Sequence, residues 1–90
     1  MKGALSLSVK SRRGDEKKIH GKGTVRYLSF EGGFHGIVGE DGKHYDPLNL
    51  PPEFRVDGLR VRFTAIVTDH IVSSHMWGCV VKLVSIEKLL

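Results

Sequence analysis

An Asp41-Gly42 pair between two runs of apolar residues is the feature that most constrains the fold of this chain. Both residue types tolerate positive φ, and Asp-Gly between alternating apolar residues is the strongest short-range signal for a β-hairpin. The two strands would cover residues 34–38 and 43–46. The pair therefore predicts a tight hairpin in a small, mostly antiparallel β domain, and it is not an enzyme motif.

A two-residue turn at Asp41-Gly42 would determine which residues lie opposite each other. Val38 would lie opposite Tyr45, and Ile37 opposite Asp46. Side chains alternate between the faces of a strand, so both aromatic residues would share one face, which carries Phe34, Gly36, Val38 and Tyr45. The other face would carry His35, Ile37, His44 and Asp46. We expect the aromatic face to lie in the core.

Three further segments have the pattern of strands, and they cover residues 19–28, 59–68 and 79–89. The first contains Gly21 and Gly23, and glycine inside a strand commonly marks a bulge or bend that lets one strand serve two sheets. The prolines of residues 47–57 predict a connector with at most one short helical turn near Pro52. Cys79 opens the last apolar strand, where we expect it to be buried.

Five strands, a glycine-bent first strand and a long connector between the third and fourth strands are typical of an OB-type barrel. An SH3-like barrel is the alternative. Leu5, Leu7 and Val9 alternate with polar or small residues and predict an additional edge strand, which could also pair with a second copy. The predicted fold is all-β, a small five- to six-stranded antiparallel OB-like barrel. Residues 1–18 form a basic N-terminal strand and loop, and residues 19–90 form the barrel.

Composition limits the class of protein. Ninety residues suffice for one domain, and 40% hydrophobic residues suffice for a packed core. The single cysteine excludes an internal disulfide framework. The sequence has no continuous apolar segment of the length needed for a signal peptide or a membrane span. We therefore expect a cytoplasmic protein without membrane attachment.

Motifs along most of the chain resemble a family of small prokaryotic OB-like domains, mostly uncharacterised, some of which are lipoproteins. These motifs are Gly23-Thr24-Val25, Glu31-Gly32-Gly33-Phe34, Asp41-Gly42-Lys43, Tyr45-Asp46-Pro47-Leu48-Asn49-Leu50-Pro51, Asp57-Gly58-Leu59-Arg60-Val61 and His75-Met76-Trp77-Gly78. The resemblance covers about residues 19–87 and implies a fold, with no catalytic or ligand residues to transfer. The chain lacks the lipobox and export signal of the lipoprotein members, so their location is not transferred.

Metal binding and catalysis have little support in the sequence. His70, His75 and Cys79 combine ligand types that zinc accepts, but their spacing matches no standard zinc motif and a fourth ligand is missing. Cys79 and His75 could be written as a catalytic dyad, yet no orienting group or oxyanion site accompanies them. We therefore expect no cofactor, no metal and no enzymatic activity.

Charge and aromatic residues together favour binding of single-stranded nucleic acid. Residues 1–26 carry eight basic and two acidic residues, whereas the rest of the chain carries six basic and eight acidic residues. OB barrels bind single strands by combining a basic groove with aromatic stacking residues. The residues expected to contribute are Arg12, Arg13, Lys17, Lys18, Arg26, Tyr27, Lys43, Tyr45, Arg60 and Arg62. Phe30, Phe34 and Trp77 are further aromatic candidates.

The alternative function is recognition of a protein or a small ligand. Met76 and Trp77 precede the last strand and would form an exposed apolar patch. Tryptophan is enriched at binding hot spots, and methionine adapts to the shape of a partner. The sequence does not indicate the oligomeric state.

Overall fold

The computed structural model of the chain describes residues 5–6, 17–68 and 77–89, and in this part the fold is all-β. The six strands are β1 (Leu5–Ser6), β2 (Lys18–Leu28), β3 (Phe34–Gly39), β4 (His44–Pro47), β5 (Arg60–Val67) and β6 (Cys79–Lys88). One turn of 3₁₀ helix, Pro52–Phe54, lies between β4 and β5. The five predicted barrel strands and the predicted helical turn near Pro52 are confirmed, and no strand end differs from its predicted position by more than one residue.

Five of the strands close into a barrel in the order β2-β3-β4-β6-β5, and β5 returns to β2. The small all-β barrel predicted from the sequence is confirmed. The strand pairing is mixed and not purely antiparallel, because β4 and β6 run parallel through Tyr45–Cys79, Asp46–Val80 and Pro47–Val81. Pro47, which we expected in the connector, is the last residue of β4.

The closure of the barrel depends on β2, which pairs with β5 through its first half and with β3 through its second half. Gly23 lies at the crossover and is paired with both Gly39 and Val61. A Cβ atom on Gly23 would come within 2.5 Å of the Val38 carbonyl oxygen. A side chain is therefore excluded where the three strands meet, and β2 pairs with two different strands, as its glycines indicated.

The hairpin between β3 and β4 has a three-residue loop, so the predicted register is wrong by one position. Gly39 N–H donates to the Lys43 carbonyl at 2.8 Å, and Gly42 N–H donates to the Gly39 carbonyl at 2.9 Å. Of the two turn residues, only Gly42 has positive φ, at 83°. This pattern is a turn followed by a glycine bulge, the second commonest way to close a hairpin.

The one-position shift exchanges the faces of the hairpin. Ile37 now lies opposite Tyr45, and both side chains are buried in the core. Val38 lies opposite His44 on the outer surface, together with Phe34 and Gly36. The expectation that Phe34, Gly36 and Val38 face the core with Tyr45 is therefore wrong.

The core is filled by side chains from every strand of the barrel and by Phe54 of the 3₁₀ turn. Full burial of one such side chain stabilises the fold by about 1.5–3 kcal/mol. The fully buried members are Val25, Ile37, Val61, Ala65, Val81 and Leu83. Phe63 and Tyr45 contact each other edge to face, with ring centroids 5.4 Å apart. Within the part of the chain that the structure describes, the groups that a ligand can reach therefore lie on the outer surface or at the rims of the barrel.

Strand β1 lies outside the five-stranded barrel. Leu5 and Ser6 pair antiparallel with Ile86 and Ser85 of β6. Leu7 and Val9, which belong to the predicted edge strand, lie outside the described residues. Within residues 5–6, 17–68 and 77–89, no helix is long and apolar enough to cross a membrane.

Candidate functional site

Four aromatic side chains form a continuous row on the outer surface of β3 and β4, which we call the aromatic row. Phe30 contacts Phe34 edge to face at 5.3 Å between centroids, and Phe34 contacts Trp77 at 5.8 Å. Trp77 stacks on His44 at 4.4 Å, with only 8° between the ring planes. Phe34 is buried, whereas Phe30 is 45% exposed and Trp77 is partly exposed. Phe30 and Trp77 therefore present ring surface to a ligand.

The position of Trp77 depends on two glycines. A Cβ atom on Gly36 of β3 would overlap the six-membered ring of the indole. A Cβ atom on Gly78 would come within 2.6 Å of the His44 carbonyl oxygen. Because neither glycine has a side chain, Gly78 lies close against His44 of β4, and the indole of Trp77 covers Gly36 of β3.

Phe30 is positioned by the loop between β2 and β3. Glu31, Gly32 and Gly33 have φ values of 51°, 81° and 88°. Gly33 N–H donates to the Phe30 carbonyl at 3.0 Å, which closes the turn. Positive φ at a non-glycine residue such as Glu31 is uncommon. This left-handed turn directs the chain back so that Phe30 lies against Phe34.

A line of basic side chains lies on the outer face of β2, and its last member, Arg26, is paired with β3 beside the aromatic row. We call it the basic strand face, and its members are Lys18, His20, Lys22 and Arg26. All four are exposed, and the even-numbered residues of a strand share one side. Arg26 lies directly opposite Gly36, the residue covered by Trp77. Facing residues in an antiparallel pair have Cβ positions about 5 Å apart, so Arg26 adjoins the indole.

Two members of the basic strand face were not singled out from the sequence. His20 and Lys22 follow Lys18 at a spacing of two residues, so the alternation of a strand was the available signal. Lys17 and Lys43 are exposed, as expected. Arg12 and Arg13 lie outside the described residues.

The three predicted arginine contacts that the structure describes each have an acidic neighbour. Arg60 is 2.6 Å from Glu40, and Arg62 is 2.7 Å from Glu87. Arg26 is 3.8 Å from Asp57, a looser contact. These pairs lie at the surface, where an ion pair contributes about 0–1 kcal/mol. A phosphate can therefore compete for the arginines at little cost.

The two tyrosines predicted as stacking residues have different environments. Tyr27 is 50% exposed and its ring lies 5.1 Å from that of His35, which is opposite it on β3. By strand alternation, this pair points to the other side of the β2–β3 ribbon from Arg26 and Phe34. Tyr27 is therefore accessible but lies outside the aromatic row.

Tyr45 is only 8% exposed and packs in the core, so its ring offers no face to a base. Its hydroxyl donates to Asp41 Oδ2 at 2.9 Å, and Lys43 N–H donates to Asp41 Oδ1 at 3.0 Å. Burial and the bond to Asp41 raise the pKa of Tyr45 to about 12. The backbone bond from Lys43 and the bond from Tyr45 lower the pKa of Asp41. Tyr45 thus stabilises the hairpin loop and belongs to neither the aromatic row nor the basic strand face.

The other sequence candidates are placed only in part. Cys79 is exposed, so the expectation of a buried thiol is wrong. It lies opposite Tyr45 in the parallel pair, at the first position of β6. His70, His75 and Met76 lie outside the described residues. Among the residues that the structure describes, no three His, Cys, Asp or Glu side chains are grouped to hold a metal ion.

No known protein family, curated protein or solved structure matches this chain. The closed barrel is compatible with the fold implied by the resemblance to prokaryotic OB-like domains, and that resemblance rests on the motifs alone.

Proposed function

We propose that this protein is a non-enzymatic OB-like module that binds single-stranded nucleic acid on the outer surface of β2, β3 and β4. The observation that carries the proposal is that two complementary features are adjacent: Arg26 of the basic strand face is paired with Gly36, which the indole of Trp77 covers. The aromatic row supplies ring faces for bases, and the basic strand face supplies cations for phosphates. A ligand that needs both along one path is a single-stranded polynucleotide.

The barrel topology supports an OB-like assignment. β6 lies between β4 and β5, so the fifth barrel strand separates the third from the fourth. OB barrels bind oligonucleotides on their second and third strands and on the loops after the first and fourth strands. Those elements here are β3, β4, the Phe30 loop and Trp77-Gly78, which directly precede β6.

The alternative, a protein-binding patch at Met76 and Trp77, receives less support. The indole already contacts Phe34 and His44 and covers Gly36, so part of its apolar surface is buried by contacts within the protein. A hot-spot tryptophan delivers its energy by burying free surface in a partner. Trp77 therefore suits an extended stack better than an isolated anchor.

Binding to a fluorescein-labelled oligothymidylate, followed by fluorescence anisotropy at low salt, tests the proposal. Phe30→Ala removes one exposed ring and should weaken binding by about 1–3 kcal/mol. Leu48→Ala is the matched control, because Leu48 is 47% exposed but follows β4 at the end opposite His44. Equal affinity of Phe30→Ala and wild type would remove the aromatic row from the site.

The salt dependence of the same assay tests the basic strand face. Each neutralised phosphate contact should lower the slope of log affinity against log salt by about 0.7. Lys22→Gln and Arg26→Gln should each lower the slope by this amount. Lys82→Gln, which removes an exposed charge on β6, should leave the slope unchanged. Absence of binding by the wild type at low salt would refute the proposed function.

A further inference from the structure

His20 lies in the middle of the basic strand face, between Lys18 and Lys22. Its ring nitrogen Nδ1 is 3.0 Å from Oγ1 of Thr64, the residue opposite it on β5. This bond occupies one ring nitrogen and orients the imidazole. The other nitrogen, Nε2, remains for a ligand outside the barrel.

The described charges that face His20 are predominantly positive. Lys18 and Lys22 flank it on β2, and Arg62 of β5 lies opposite Lys22. Two carboxylates lie beside this set: Glu87 of β6 contacts Arg62, and Glu40, whose N–H donates to the Lys22 carbonyl at 2.8 Å, contacts Arg60. With Arg60 included, four cations against two carboxylates leave an excess of positive charge, which attracts the closely spaced anions of a nucleic-acid backbone.

We propose that Lys18, His20, Lys22 and Arg62 form a phosphate subsite in which His20 takes part in its protonated form. This inference rests on the proposed nucleic-acid function and adds its regulation by pH. Histidine is the side chain whose charge ordinarily changes between about pH 5 and 8. An imidazolium donates from both nitrogens, so Nε2–H can bond to a phosphate oxygen while Nδ1–H bonds to Thr64. Binding then takes up a proton and tightens as the pH falls.

The affinity for labelled oligothymidylate at about pH 8 and about pH 5.5 tests the subsite, because thymine does not change its charge in this range. For the wild type we expect about three- to fivefold tighter binding at the lower pH. The slope of log affinity against log salt should also become steeper by about 0.7, as one more phosphate contact forms.

His20→Gln should lose most of the wild-type response of the affinity to pH, and its salt slope should not steepen at the lower pH. Glutamine retains a hydrogen-bonding side chain opposite Thr64 but cannot gain a charge. His35→Gln is the matched control, because His35 lies beside Tyr27 on the other side of the β2–β3 ribbon, and it should keep the wild-type response to pH.

The outcomes separate this inference from the function on which it rests. Tight binding that does not change with pH, or an unchanged pH response in His20→Gln, would overturn the subsite and leave the proposed function intact. No binding at either pH would refute both. Retention of the response in His35→Gln with its loss in His20→Gln would support the subsite.

Discussion

At the residue scale, glycines shape the candidate surface, by which we mean the aromatic row together with the basic strand face. They lie where a side chain would collide with a neighbouring segment. Gly36 is covered by the indole of Trp77, and Gly78 lies against the backbone of His44. The absence of a side chain at each glycine permits close contact between segments that are distant in sequence. The sequence shows these glycines but not the rings that cover them, so the stacking of Trp77 on His44 could not be predicted.

A methyl group at Gly36 should displace Trp77. Gly36→Ala is expected to destabilise the fold by about 1–3 kcal/mol, because the added carbon overlaps the indole. The chain has one tryptophan, so its fluorescence reports this site alone, and the emission should shift to the red as the ring becomes more exposed. Gly21→Ala is the matched control, since its new carbon would meet Phe63 at an ordinary 3.4 Å. Unchanged emission of Gly36→Ala would contradict the described packing.

Stability at alkaline pH should depend on Tyr45. Because folding raises the pKa of Tyr45 from 10.0 to about 12, its contribution is complete below pH 10 and is lost as the pH rises through 12. The free energy of unfolding of the wild type should fall more steeply over this interval than that of Tyr45→Phe, which has no phenol to ionise. Parallel curves from denaturant titrations of the two proteins would contradict a pKa of Tyr45 that is raised by burial and by the bond to Asp41.

At the element scale, the hairpin explains which parts of the fold were predictable. Period-two patterns located the strands, and Gly23 lies where β2 changes its partner from β5 to β3. The Asp41-Gly42 pair located the turn but not its length, since a left-handed glycine suits both a two-residue loop and a bulged three-residue loop. The bonds from Lys43 and Tyr45 to Asp41 favour the longer loop. These bonds span only two and four residues, but the pattern of residue types does not reveal them, so the faces of β3 were assigned incorrectly.

The bulged loop requires positive φ at Gly42. Gly42→Val should destabilise the protein by about 1 kcal/mol or more, because a β-branched residue is strained in this conformation. Gly42→Asn should cost less, since asparagine tolerates left-handed backbone. Thermal unfolding of both variants measures the difference, and equal midpoints would argue against the described turn.

At the scale of the whole molecule, the candidate surface exists only because the barrel closes. The basic side chains lie on β2, the residues under the indole lie on β3 and β4, and Trp77 itself precedes β6. The sequence supplied the types of group required, but several predicted members are separated by the fold. Tyr45 lies in the core and Tyr27 on the other side of the ribbon, whereas Arg26 adjoins the indole. Burial and strand register, which depend on the complete barrel, make these distinctions.

The most direct test of the central claim is a map of the amide chemical shifts of the isotopically labelled protein during titration with oligothymidylate. Binding at the proposed surface should perturb the outer positions of β2 and β3, the Phe30 loop and the indole N–H of Trp77. The chemical shifts of the amides around Lys82 on β6 should not change. No shifts at low salt, or shifts confined to the neighbourhood of Lys82, would contradict a nucleic-acid site formed by the aromatic row and the basic strand face.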